Sequence, residues 1–230
     1  MIDFFVSHRY SDDYVAGPSI VIPGIAAENL VKPNYNLPSL SSGYNLTRLR
    51  THHGGGAVLL DLAVGNPAAH TDRGAPATAQ ALLECSGAGQ VAYMLRLFNK
   101  TATHAPETVW LSNNPATAGL GLAPGAAPPV VIDKLGAPLD PADADLGCDG
   151  HRLTCGVHLH GVGDKGVCVA GQIAIRSVDS ALVSIGVADP FPTPLRKPDT
   201  AGGVHHALSG NIWNTNYPFW YVNTAWRWAV

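Results

Sequence analysis

A chain of 230 residues, 46% hydrophobic and 13% charged, with 25 glycines and 18 prolines, is long enough to bury a core and too apolar for a disordered composition. Its net charge of −3 and the lack of any basic run argue against nucleic-acid binding through phosphates. No apolar stretch reaches the roughly 20 residues of a membrane-spanning helix, so no transmembrane segment is expected.

Met1–Arg9 lacks the basic stretch and long apolar core of a signal peptide. Ser11–Gly17 offers an N-cap, the acidic residues Asp12 and Asp13 in the first turn and a glycine stop, which predicts one short helix. Pro18, Pro23, Pro33 and Pro38 then favour an extended crossing segment. Residues 1–75 are therefore expected to form an irregular wrapping arm. Gly54-Gly55-Gly56 is a turn and not a phosphate loop, because no Gly-Lys-Ser/Thr follows it. It leads into Ala57–Val64, apolar enough for a strand buried on both faces.

Ala79–Glu84 and Gln90–Phe98, joined by a Gly-rich turn, predict a strand pair, with Thr108–Ser112 a further strand. Pro115–Pro129, rich in Ala, Gly and Pro, predicts a surface loop. Short strands are expected at Val130–Leu135, Arg152–His160, Gly166–Ala170, Ile173–Ser177 and Ala181–Ile185. Residues 211–221 crowd aromatics with Asn and Pro, which suits strand segments and tight turns. Trp226, Trp228 and Val230 alternate against Arg227 and Ala229 as a final strand with one apolar face. The pattern predicts an all-β fold, an antiparallel β-sandwich over residues 76–230 with the irregular arm before it.

Several segments resemble, in order, the C-terminal β-domain of proteins related to the class II α-mannosidases, glycoside hydrolase family 38. They are Glu107–Ser112, Asp133–Gly136 with Pro138–Asp140, His158–Val162, Ile175–Val183 and Asn211–Pro218. The resemblance spans about residues 80–230 and is weaker before 75, where Tyr10–Tyr14 looks like the linker ahead of that domain. It implies a supersandwich-like β-domain packed against a catalytic barrel that residues 1–75 are too few to form. The family's metal pair, His-x-Asp, is not carried onto His70-Thr71-Asp72, which lacks the aromatic context.

Candidate chemistry is sparse. His158 and His160 share a strand face and can chelate a metal with His205 or His206; equally, such a pair can hydrogen-bond within the fold. Trp213, Trp220 and Tyr221 offer flat faces for sugar rings, and Asn214 and Asn216 offer hydrogen bonds to hydroxyls; the same residues suit core anchors and turns. Asp133, Asp140, Asp143, Asp145 and Asp179 contain no pair whose spacing marks an acid and a nucleophile, so no catalytic residue is assigned and no cofactor is expected. Cys148 and Cys155 flank the turn pair Asp149-Gly150 and are expected to form a disulfide. Asn45 and Asn99 head glycosylation sequons, which together with the cysteines suit the secretory pathway as well as the alternative of chance sequons and free thiols. The expected role is a non-catalytic β-sandwich module that serves as a structural or interaction subunit. The alternatives are a glycosidase fragment needing a separate catalytic domain, and a carbohydrate-binding module. A protein partner or separate catalytic domain is expected, and carbohydrate is a further candidate.

Overall fold

The computed structural model describes residues 2–8, 40–51, 56–86, 89–101, 107–114, 122, 126–143, 160–188, 198–211 and 228–229. The described strands are β1 (Ile2–His8), β2 (Leu40–Thr51), β3 (Ala57–Val64), β4 (Thr78–Ser86), β5 (Gln90–Phe98), β6 (Glu107–Asn113) and β7 (Val130–Lys134). They continue with β8 (Ala137–Leu139), β9 (His160–Gly161), β10 (Val167–Val169), β11 (Ile173–Ile175), β12 (Leu182–Ile185), β13 (Val204–Asn211) and β14 (Trp228–Ala229). The one α-helix among the described residues is α1 (Pro67–Thr71).

The fold is all-β and antiparallel. Ten strands pair in the order β14-β5-β4-β3-β2-β1-β6-β13-β12-β9, and four in the order β11-β10-β7-β8. β2 joins the two halves of the long sheet. Its first residues, Leu40–Gly43, pair with β1, and the rest, Tyr44–Thr51, pair with β3.

Two apolar clusters lie under this sheet. In the first, Leu62 of β3, Ala79 and Ala81 of β4 and Leu95 of β5 meet Val109 and Leu111 of β6, Leu208 of β13 and Ala69 of α1. In the second, Val130 and Ile132 of β7 and Val167 and Val169 of β10 meet Val183 and Ile185 of β12 and Val204 of β13. Pairing register places Leu111, Val204, Val183 and Ile185 on one face of β6-β13-β12. That single face therefore packs against β3–β5 along one part and against the four-stranded sheet along another. β6 is buried from Glu107 to Ser112, on both its faces, as befits the middle of a sheet.

A β-bulge governs β2. Leu46 pairs with Leu62 on the core-facing side, Thr47 is the extra residue, and Arg48 then pairs with Asp61 on the outward side. Strict alternation would have put Arg48 and Arg50 on the face of Leu46; the bulge turns them to the opposite face and leaves Leu46 and Leu49, both 55% exposed, on the face of Leu60 and Leu62. A second bulge between Ala207 and Ser209 inserts Leu208 into β13, where it is buried in the first cluster.

Several sequence expectations meet their outcome here. Ala57–Val64 and Gln90–Phe98 are strands with the predicted bounds. β3, however, is half-buried at most positions; only Leu62 is fully buried, because its other face looks outward. Residues 9–39 of the expected arm lie outside the described residues, and residue 75 falls between β3 and β4. β1, β2 and β3 are inner strands of the long sheet, and β3 pairs with β4 across that position. The helix expected at Ser11–Gly17 lies outside the described residues. The observed α1 is capped by Asn66, whose side chain accepts from the Ala68 amide at 3.1 Å, with Pro67 opening the first turn.

Candidate functional site

The first polar centre sits where α1, β2 and the β5–β6 connection meet. Glu107 opens β6 and forms a buried ion pair with Lys100. Burial pushes the Glu107 carboxyl up to about 7, against the pull of the Lys100 ammonium, and burial lowers Lys100 in turn. The Tyr44 hydroxyl donates to the Pro76 carbonyl at 2.6 Å, and burial, with Glu107 adding to it, raises its pKa. Arg73 is buried in the segment that follows α1. Gly74, with φ of +73°, holds this corner together: its carbonyl accepts from the Thr101 amide, and a Cβ there would lie 2.6 Å from Thr101 Oγ1.

A second centre bridges the two halves of the sandwich. The Tyr93 hydroxyl on β5 donates to Asn113 Oδ1 at 3.2 Å, and Asn113 Nδ2 lies 3.4 Å from His206 Nδ1 on β13. His206 is fully buried, and burial, with His205 adding to it, lowers its pKa to about 4. On the opposite face of the same strands, Ser112 Oγ lies 2.7 Å from His205 Nδ1, and both side chains are buried. A serine beside an imidazole has the parts of a nucleophile and base, but these two are closed off from solvent.

The third feature is open to solvent. On the outward face of β2–β5, register aligns Arg48, Asp61, Gln80 and Arg96 in one row across four strands. The rows on either side are Asn45-Ala63-Thr78-Phe98 and Arg50-Leu59-Leu82-Met94. Asp61 accepts from Gln80 Nε2 at 2.8 Å and from Arg50 Nη2 at 2.7 and 2.6 Å. The Gln80 hydrogen bond, with Arg50 and Arg48 beside it, holds the Asp61 carboxyl below its usual range. Phe98 and Met94 are 43% and 37% exposed on this face.

Of the residues named from sequence, His160 is buried on β9 opposite Val183. His206 pairs with Val183 from the other side, so His160 and His206 share a face with a whole strand between them. No cluster of three metal-ligating side chains occurs among the described residues. His158, Cys148, Cys155, Trp213, Asn214, Asn216, Trp220 and Tyr221 lie outside the described residues. Cys85 and Cys168 are free thiols. Asn45 is exposed on β2, and Asn99 is exposed just after β5 with φ of +57°.

Two of the acidic residues considered for glycoside hydrolysis shape turns. Asp133 accepts from the Gly136 and Lys165 amides at 2.8 Å each, and Asp140 accepts from the Ala142 amide. His70 Nδ1 lies 2.7 Å from the Ala75 carbonyl, a local contact that ties α1 to its exit. The row from Arg48 to Arg96 was missed from sequence because its ends lie on strands far apart in the chain and only register aligns them. No protein-family model, curated protein or solved structure matches the chain.

Proposed function

We propose that this chain is a non-catalytic β-sandwich module that works through its surface as a structural or interaction subunit, derived from a mannosidase-like glycosidase as its sequence resemblance implies. The observation that carries the reading is where reactive groups lie. Among the described residues Glu107, Ser112, His205 and His206 are all buried, while the outward face of β2–β5 exposes Arg48, Arg50 and Arg96. Glycoside hydrolysis needs two carboxyl groups facing each other across a sugar. Glu107, the described carboxyl group whose pKa is raised, is instead committed to Lys100.

Carbohydrate binding is a second reading, favoured by the row of Arg, Asp and Gln side chains between exposed Phe98 and Met94. The test of the main reading is to incubate the pure chain with aryl α-mannosides, with and without zinc or calcium. No turnover is expected. Turnover lost on changing a residue of this chain overturns the reading.

A further inference from the structure

We propose that the outward face of β2–β5 binds an anionic glycan, a polymer bearing uronate or sulfate groups, with Arg48 and Arg96 reading its charges. The inference rests on the reading of the chain as a non-catalytic interaction module and names the partner of its open face.

Three arginines stand on this face, and they are not equivalent. Arg50 is tied to Asp61, so it serves the fold. Arg48 and Arg96 end the same row, both exposed, and neither forms an ion pair with a carboxylate among the described residues. Three strand spacings separate them, roughly 14 Å of sheet. Between them Gln80 and Arg50 saturate Asp61, so the middle of the row is close to neutral and its two ends are positive. Glu84, at the far end of β4, is the other acidic residue on this face, which still carries net positive charge on a chain whose total is −3.

The shape of the face selects the partner. The backbones of β3 and β4 are paired on both sides, so an extended peptide cannot join by strand addition there. What the face presents is side chains: guanidinium groups for oxyanions, Asn45, Thr78 and Gln80 for hydroxyls, and Met94 and Phe98 as an apolar platform for the C–H face of a ring. A polymer with charged groups spaced along a chain of hydroxylated rings meets all three. Asn45 lies on the same face, so the site is accessible only in chains that carry no glycan at that sequon.

The experiment uses the full chain, made without N-glycans, on immobilised heparin, hyaluronan and dextran. Retention is expected on one or both polyanions, weakening between about 50 and 200 mM salt, and not on dextran. Retention on hyaluronan as well as heparin shows that carboxylates suffice; retention on heparin alone makes sulfate the ligand. The double variant R48Q/R96Q should bind about a hundredfold more weakly, about tenfold for each charged hydrogen bond lost. Arg176→Gln, an exposed arginine away from this face, should bind like the parent chain. No retention on either polyanion, or equal weakening by Arg176→Gln, overturns the glycan site. Cleavage of mannosides by the same preparation overturns the non-catalytic reading and leaves the site to the binding result.

Discussion

The two halves of the long sheet use polar residues in opposite ways. In the β6-β13-β12 half, Glu107, Ser112, His205 and His206 are buried, and each is met by another polar group or by the other histidine. In the β2–β5 half, Arg48, Arg50 and Arg96 face outward over a core-facing side built of Leu60, Leu62, Ala81 and Leu95. The enclosed half takes its stability from packing, and its polar groups are costly unless paired. The open half can exchange its surface side chains with little cost to the fold. Stability and recognition are thus separated along one continuous sheet.

The contrast is broken most severely from the enclosed side. Trp110 is fully buried on β6, and Trp110→Ala should cost about 3–5 kcal/mol, read as a fall in the urea midpoint. An equal loss for the exposed Met94→Ala would erase the distinction. Next comes the buried pair. Glu107→Gln or Lys100→Met alone should each cost roughly 3–5 kcal/mol by stranding the partner, while a double apolar replacement should come close to neutral. A double-mutant cycle on chemical denaturation measures this coupling; simple additivity would show that the two groups do not depend on each other.

A smaller effect separates the two buried titrations by pH. His206 has a folded pKa near 4, below its usual 6.5. Its contribution is present above pH 6.5 and is lost as pH falls toward 4, amounting to at most about 3 kcal/mol. Glu107 runs the other way: its folded pKa is near 7, above the usual 4.5, so its contribution is present below 4.5 and is lost as pH rises through 7. His206→Asn should therefore flatten the acid limb of the stability profile, and Glu107→Gln the fall in stability between pH 4.5 and about 7. An unchanged acid limb in His206→Asn would remove His206 as its cause. The smallest expected effect is on the open face, where Arg50→Gln breaks an exposed ion pair and should cost about 0.2–1 kcal/mol in thermal unfolding.

What was legible from the sequence follows the regularity of each strand. Ala57–Val64 and Gln90–Phe98 stand out because apolar residues recur between clear turn signals. β2 was missed because Leu46-Thr47-Arg48-Leu49-Arg50 breaks the two-residue alternation at the bulge. β13 was missed for the same reason, with His205 and His206 placed where a buried strand ordinarily carries apolar residues. α1 had its signal in Asn66-Pro67, but five residues are too few to show a helical period. The polar centres depend on register between distant strands. Glu107 and Lys100 are near neighbours in sequence, yet nothing in their spacing marks the pair as a buried one. His160 and His206 were named together as possible ligands, and the strand between them could be found only from the order of the sheet.

The position of β6 has a consequence for synthesis. Its two neighbours are β1, at residues 2–8, and β13, at residues 204–211, so one is made long before it and the other long after. About ninety residues separate the end of β6 from the start of β13, which at ribosomal speeds of ~5–20 residues per second is roughly 5–20 s. During that interval a strand destined to be buried on both faces has one open edge. Nascent chains paused within this window should be the ones that bind chaperones most strongly and aggregate most readily.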